Sequence, residues 1–524
     1  MKNAETEGVN RNIVLDATCI AVLIAYFLYF ALPARRGGFR GDEMTNMVIY
    51  WQSGMLKSLW ANVAFWTTFY RPGGALYYLP LYHFFGLNPE PYRIVQISVL
   101  AASIPIVYYL NRVLAPSRLV AFLATLVLCY HAALINLAFV GSYIYDVLCG
   151  FFYLAALSFY IHIRERGAGL RPLQMVGFLA LYVCALDFKE MAVTLPVMVL
   201  IYELLKCHRW SDWKQFSRWA CSSAAPALIA GLLTVPYIYS KTCGTGALTN
   251  AYLYQPHYSW SNFLKSNTHF LSELFYFGFH NYVISQKACL VLWALVFLYA
   301  FLRRDLTLKL MAFWTVIVPL PLAFIPLRGG ACLYLLLFAW AMIFARVVWD
   351  LITLISKSGI LVGQRVGAGT ATGAITAGVV SGNVRGAAVG AAIGTMSAAT
   401  FRVVAVLSVA SALAIFTHWK IQSYGTVQRW LSVGQKVPHV IAALKSLHFQ
   451  PAPRSTILLR IPENLLVNKA HAVFIAYLVW NDRSLHISLE SANEPAPQQL
   501  PGVDCMVSLD EFQAKLIRSP LESH

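Results

Sequence analysis

Acidic residues are scarce in this sequence, with only 23 Asp and Glu among 524 residues. Charged residues of both signs make up 12% of the chain, whereas hydrophobic residues make up 58%. An ordinary soluble domain has about a quarter of its residues charged, so this composition excludes that class. We therefore predict an all-α polytopic membrane protein.

Closely spaced cysteine pairs are also absent, because the ten cysteines form no Cys-x-x-Cys motif. Half of them lie within apolar runs, where cysteine behaves as a small hydrophobic residue. We expect neither a disulfide framework nor a zinc site. These five are Cys19, Cys129, Cys149, Cys184 and Cys289.

Apolar runs recur along most of the chain, and we predict about 11 transmembrane helices from them. Roughly 20 apolar residues in a helix cross the hydrocarbon core of a bilayer. The first run is too long for a signal peptide, so we interpret it as an anchor. The predicted spans are 13–33, 92–110, 119–140, 143–161, 173–187, 191–205, 222–240, 286–302, 308–327, 331–353 and 400–417.

The 40 Lys and Arg residues are distributed unevenly between alternate loops, which favours membrane topology over nucleic-acid binding as the reason for the basic excess. The base-rich loops should be cytoplasmic. This orientation places the Asp42 loop, the Lys189 turn, the 241–285 loop, Arg328 and the C-terminal residues outside. The base-rich set comprises Arg112, Arg118, Arg164, Arg166, Arg171, Lys206, Arg209, Lys214, Arg218, Arg303, Arg304 and Lys309.

The composition divides the chain into four parts: a transmembrane region over 1–355, a Gly/Ala-rich segment over 356–400, a last transmembrane helix over 401–418, and a small α/β outer domain over 419–524. The Gly/Ala-rich segment is typical either of close helix packing or of a poorly ordered insertion. In the outer domain we predict strands at Thr456–Ile461, Val473–Trp480, Leu485–Leu489 and Met506–Leu509.

Two adjacent acids, Asp42 and Glu43, follow the first span. Apolar residues recur after them at helical spacing, which predicts an amphipathic helix over 43–60 along the outer interface, with Asp42 at its N-cap. Helix capping alone would explain these two acids. Further ionisable residues are predicted at the same membrane level, and several such groups at one depth indicate a shared polar cavity. They are Asp146, Asp187, Lys189, Glu190 and Arg328.

Several short motifs, taken in order, resemble those of the GT-C membrane glycosyltransferases, with most similarity to the protein O-mannosyltransferase-like branch and the transmembrane-and-tetratricopeptide O-mannosyltransferases. The resemblance covers about residues 13–345. Its motifs are Gly41-Asp42-Glu43, Tyr70-Arg71-Pro72, Phe85-Gly86-Leu87-Asn88-Pro89, Tyr145-Asp146, Lys189-Glu190, Thr194-Leu195-Pro196, and Pro326-Leu327-Arg328 before Tyr334.

The resemblance implies transfer of a sugar from a polyprenyl-phosphate donor to a hydroxyl acceptor, which is a protein, a lipid or a glycan, outside the membrane. Membrane lipids are the other expected partners, and nucleic acid is not. We expect the bacterial inner membrane, with the active site on its periplasmic side, and a hexosyltransferase of the inverting type. A transporter or flippase of a lipid-linked or anionic substrate is one alternative, and a catalytically silent binding or assembly protein is another.

The residues themselves suggest roles in such a reaction. A hydroxyl acceptor needs a general base, for which Asp42 and Glu43 are the candidates, and Asp146 would orient the acceptor or join a metal site with Asp42. No metal ligands are assigned, and a divalent cation is left open as a cofactor. The other expected residues are Arg71, Lys189 and Arg328 for the donor phosphate, Glu190 to hold Lys189 or to form a local ion pair, and Tyr70 and Tyr334 in support.

Overall fold

The computed structural model describes residues 2–63, 71–207, 210–243, 247–277, 283–373, 397–423, 425–466, 468–491 and 502–518. Most of these residues are helical. The helices are α1 Lys2–Ala31, α2 Gly41–Ser53, α3 Met55–Val63, α4 Gly74–Phe85, α5 Pro89–Leu114, α6 Arg118–Cys129, α7 Asn136–Phe139, α8 Ile144–Glu165, α9 Pro172–Phe188, α10 Leu195–Lys206, α11 Trp213–Ser222, α12 Ala225–Thr242, α13 Trp260–Leu274, α14 Gln286–Arg303, α15 Leu306–Ile317, α16 Leu320–Ala323, α17 Tyr334–Gly373, α18 Ala398–Ser423, α19 Thr426–Val433, α20 Lys436–Ser446 and α21 Ala470–Trp480.

Seven helical segments in the described part of the chain are long and apolar enough to cross a membrane, and a bent pair, α11 and α12, would make eight. These eight coincide with eight of the predicted spans, which confirms a polytopic membrane protein. The other three predicted spans, 119–140, 173–187 and 191–205, fall on shorter helices. The long segments are Asn12–Arg36, Pro89–Leu114, Gly141–Glu165, Gln286–Arg303, Leu306–Ala323, Gly330–Lys357 and Ala398–Ser423.

A four-stranded mixed sheet forms the small C-terminal domain, in the order β2-β1-β3-β4. The central strand β1 pairs in parallel with β2 and β3, and β4 pairs antiparallel to β3. The small α/β domain predicted from composition is therefore present. The strands are β1 Thr456–Ile461, β2 His486–Ser491, β3 Cys505–Leu509 and β4 Ala514–Arg518.

The strand predicted at Val473–Trp480 is wrong, because these residues belong to helix α21. Parallel strands cannot be joined by a tight hairpin, and α21 is the crossover between β1 and β2. An apolar run that is buried on several sides lacks a clear period, so a strand and a helix look alike in sequence. Strand β4 was not predicted.

The helix predicted over 43–60 is divided at Gly54, which has a φ of 78° and separates α2 from α3. The N-cap of α2 is Arg40 rather than Asp42, which lies in the first turn. Helix α2 packs against α4 on one side and against α21 of the C-terminal domain on another. It therefore lies between the membrane helices and the C-terminal domain, and its buried side chains include Met44, Met47 and Trp51.

Candidate functional site

A cavity of about 590 Å³ opens where the first turn of α2 approaches the start of α8 and the end of α12. The turn after α9, residues that precede α13 and the segment from α16 to Cys332 also contribute to its wall. Six residues expected from the sequence to form the site line this one cavity, although they come from widely separated parts of the chain. They are Asp42, Arg71, Asp146, Lys189, Glu190 and Arg328.

Lys189 forms an ion pair with Asp146, and both side chains are 6% exposed. The Lys189 ammonium also lies 3.3 Å from the Sγ atom of Cys332. Burial lowers the pKa of Lys189, but the Asp146 carboxylate outweighs burial and holds that pKa above its ordinary value. Lys189 is therefore a fixed cation at neutral pH. Its partner is Asp146 rather than the neighbouring Glu190, which corrects the expected pairing.

Arg71 forms the second ion pair of the cavity, with Glu190. Its Nε and Nη2 atoms donate to the two carboxylate oxygens at 3.2 and 3.0 Å. Burial raises the pKa of Glu190, but the guanidinium more than offsets this, so the pKa lies below its ordinary value. The Arg71 carbonyl accepts a hydrogen bond of 2.8 Å from Tyr50. Arg71 is thus held at both its backbone and its side chain.

Two guanidinium groups meet near the ring of Tyr254. The Cζ atom of Arg328 lies 4.8 Å from the ring centroid, and that of Arg71 lies 5.8 Å from it. Arg328 also donates to the Leu253 carbonyl at 2.8 Å. Within the described residues, Arg328 has no carboxylate partner, so its charge is less neutralised than that of Arg71. Cation–π contact and the carbonyl orient it toward the cavity.

Asp42 differs from the other carboxylates of the cavity, because its side chain is 79% exposed. In the part of the chain that the structure describes, its nearest basic atom is Nε2 of His471 in α21, at 4.0 Å. Burial lowers the pKa of His471, and Asp42 opposes this shift only in part. Asp42 is accordingly the carboxylate in the cavity that is most accessible to an incoming group.

Glu43 does not line the cavity, although it was a candidate base. Its side chain is fully buried and accepts from Arg93 Nη1 at 2.9 Å and Nη2 at 2.8 Å. The backbone N–H of Arg40 donates to the same carboxylate at 3.0 Å. Because its oxygens are occupied inside the bundle, we assign Glu43 a structural role instead of a role as base.

Tyr334, expected as a supporting residue, is buried away from the cavity, and its hydroxyl lies 3.2 Å from Ser103 Oγ. The other supporting residue, Tyr70, lies outside the described residues. The lining residues that the sequence did not indicate include Lys241 and Tyr254, which bear on the chemistry of the site. A signal for Lys241 existed, since it is one of few bases in the base-poor set of loops.

The described residues contain no group of three or more His, Cys, Asp and Glu side chains arranged to hold a metal ion. Asp42 and Asp146 line the same cavity, but Asp146 is engaged by Lys189. A metal site shared by these two acids would therefore lack a third His, Cys, Asp or Glu ligand within the described part of the molecule.

No protein-family model matches the sequence, and no curated protein matches it. Solved structures give distant likenesses. ArnT from Cupriavidus metallidurans in the apo state is 14% identical, with a TM-score of 0.49 and coverage of 92% of this chain and 86% of ArnT. ArnT bound to undecaprenyl phosphate is 13% identical, with a TM-score of 0.46 and coverage of 91% and 85%.

The archaeal oligosaccharyltransferase AglB from Archaeoglobus fulgidus, in complex with an inhibitory peptide and a dolichol-phosphate, is 11% identical, with a TM-score of 0.46. That likeness covers 89% of this chain but only 64% of AglB. Because all of these proteins are distant in both sequence and geometry, we rest the function on the cavity itself.

Proposed function

We propose that this chain is a membrane glycosyltransferase that moves a sugar from a polyprenyl-phosphate-linked donor to a hydroxyl acceptor within the cavity. One observation carries the proposal: the exposed carboxylate of Asp42 shares a single cavity with four cationic side chains beside the membrane helices. The cations are Arg71, Lys189, Lys241 and Arg328.

The cations suit a phosphate leaving group. Negative charge develops on the phosphate oxygens as the sugar–oxygen bond breaks, and fixed cations in a partly buried site stabilise such charge without reorganising. The Arg71–Glu190 and Lys189–Asp146 pairs hold two of these cations in place. Arg328, which has no described carboxylate partner, offers a charge for direct contact with phosphate that is less neutralised than those of Arg71 and Lys189.

Asp42 suits the role of general base. Its carboxylate would take the proton of the acceptor hydroxyl while that oxygen attacks the anomeric carbon. The bond between the anomeric carbon and the phosphate oxygen breaks, and its electron pair leaves with the polyprenyl phosphate. A single displacement of this kind inverts the anomeric configuration, which is the reaction type that the resemblance implies.

Apolar side chains line another part of the same cavity and suit the isoprenoid part of a donor. They extend from the end of α12 through the residues before α13 to the region around α16. Such a wall lets the lipid remain in contact with hydrocarbon while its phosphate reaches the cations. These residues are Ile238, Leu248, Leu253, Pro321, Leu322 and Ile325.

The proposal also includes three more specific assignments, which rest on the sequence resemblance. They are transfer of a hexose, an acceptor of the kind used by the O-mannosyltransferase-like branch, and a periplasmic site in a bacterial inner membrane. The acceptor class in particular follows from short motifs and not from the cavity, whose charges recognise the donor.

The proposal is tested with purified protein in lipid nanodiscs, a polyprenyl-phosphate donor with a labelled sugar, and membranes of the producing cell as the acceptor source. We expect labelled acceptor and an equal amount of free polyprenyl phosphate. Movement of intact donor across proteoliposomes without bond cleavage would support the flippase instead. If the protein neither transfers the sugar nor moves the donor, and does not bind the donor, both functions are contradicted.

A further inference from the structure

A second cavity, of about 620 Å³, lies between the α2–α4 region and the C-terminal domain. Trp51 of α2 is buried beside it and donates its indole N–H to Asn481 at 3.1 Å. Tyr82 of α4 donates to the Leu478 carbonyl at 2.7 Å. These hydrogen bonds join the two parts of the protein, so the cavity has walls from both.

The polar side of this second cavity is basic. Lys445 of α20 and Arg483 line it, and the Cζ atom of Arg483 lies 5.0 Å from the ring centroid of Trp51. No Asp or Glu occurs among the described residues that line the cavity. Both cations are exposed and neither forms an ion pair with a described carboxylate, which favours an anionic ligand over a cationic or neutral one.

The rim formed by α3, α4 and the residues just after α4 is largely apolar. Met55, Leu79 and Leu87 line the cavity on this side. Nearby on α3 and α4, large apolar side chains are strongly exposed: Leu56 by 85%, Trp60 by 61%, Phe84 by 74% and Phe85 by 50%. Exposed apolar residues on short helices beside a basic surface are typical of elements that lie in a membrane interface.

We propose that this cavity binds an anionic phospholipid, with its headgroup phosphate between Lys445 and Arg483 and its acyl chains along α3 and α4. The two rims together recognise an amphiphile, because a free phosphate would leave the apolar rim unused and a neutral lipid would leave the cations unused. Since α2 also carries Asp42, the bound lipid would brace the helix on which the candidate base lies.

The test needs no turnover and so is independent of the proposed function. Purified full-length protein in a neutral detergent is titrated with short-chain phosphatidylglycerol, phosphatidylcholine and glycerol phosphate, and binding is followed by thermophoresis. We expect phosphatidylglycerol to bind roughly tenfold or more tightly than phosphatidylcholine, since basic residues near an anionic lipid each strengthen binding severalfold. Glycerol phosphate, which has no acyl chains, should bind weakly.

The variant Lys445→Gln/Arg483→Gln should lose most of the preference for phosphatidylglycerol. The matched control is Lys436→Gln/Arg429→Gln, which removes one exposed cation from α20 and one from α19, neither of which lines the cavity. Lys445→Gln alone serves if the double variant does not fold. Equal affinity for the two lipids, equal binding of glycerol phosphate, or equal loss in the control would each overturn the proposal.

Discussion

The carboxylate of Glu43 and the guanidinium of Arg93 form a bidentate ion pair in which both side chains are completely shielded from solvent. The preceding residue on the same helix, Asp42, is 79% exposed and lines the cavity. Successive residues of a helix point in directions about 100° apart, so two adjacent acids have opposite environments. Asp42 is suited to chemistry and Glu43 to a structural role.

Replacement of Asp42 by Asn should lower the rate of sugar transfer by roughly 10²–10⁴-fold, the usual contribution of a general base. The fold should be unaffected, because the side chain is exposed. Turnover of labelled donor measures the rate, and thermal unfolding in detergent measures stability. Glu463→Gln, an exposed acid in the C-terminal domain, is the control. If the Asp42→Asn variant transfers sugar as fast as the wild type, Asp42 is not the general base.

Glu43→Gln should destabilise the protein by about 3–5 kcal/mol, because it leaves the Arg93 charge buried without its partner. We expect a lower unfolding temperature and a smaller yield of folded protein, where Asp42→Asn changes neither. Differential scanning fluorimetry of the two variants side by side makes the comparison. A Glu43→Gln protein as stable as the wild type but inactive would instead assign Glu43 to catalysis.

Gly41→Ala should also be destabilising, although alanine is ordinarily the better helix residue. A Cβ atom at position 41 would lie 1.8 Å from Nδ1 of His471, so the His471 ring or the helix that carries it would have to move. The substitution His471→Ala should relieve the clash. The double variant Gly41→Ala/His471→Ala should therefore lose less free energy of unfolding than the sum of the losses in the two single variants. Gly231→Ala, with no other side chain within 4 Å, is the control.

Arg328→Gln should weaken binding of the donor by roughly 10–100-fold, the worth of a charge-assisted hydrogen bond to phosphate. Arg328→Lys should retain part of this affinity, because it keeps the charge but loses the planar contact with Tyr254. Binding of polyprenyl phosphate, measured at two salt concentrations, reports the effect. Arg218→Gln, on an exposed face of α11, is the control. An unchanged affinity would exclude Arg328 from the phosphate site.

Glu190 should contribute stability that depends on pH. Its pKa in the folded protein lies below the ordinary value of 4.5, because Arg71 outweighs burial. A carboxyl group of this kind stabilises the fold fully above about pH 4.5, and the contribution is lost as the pH falls through the folded pKa. The stability difference between wild type and Glu190→Gln should therefore shrink in acid. A constant difference from neutral to acidic pH would contradict the ion pair.

Sequence predicted the composition of the cavity better than its internal contacts. Alternation of base-rich and base-poor loops predicts that Asp42, Lys189 and Arg328 lie on one side of the membrane, and the fold brings them to a common cavity. It could not predict the partners. Lys189 is extended, with φ of −158° and ψ of 149°, so its side chain and that of Glu190 diverge toward different partners.

Other features depended on contacts that a single sequence does not reveal. The direction in which Glu43 points is set by Arg93, 50 residues away in sequence. Tyr254 lies near two guanidinium groups, but no periodicity marks it. In the fold, apolar runs predicted the long spans, whereas Val473–Trp480 is buried on several sides and gave no clear period, so its helix was mistaken for a strand.

The cations around Tyr254 have a consequence for the end of the proposed reaction. The donor carries its phosphate with the sugar attached, whereas the polyprenyl phosphate left behind is a monoester, which at neutral pH holds nearly one further negative charge. If the proposed reaction takes place there, a cavity whose cations outnumber its carboxylates would hold that product more firmly than the donor. Departure of the spent lipid, rather than the making of the new glycosidic bond, would then limit the rate of successive turnovers.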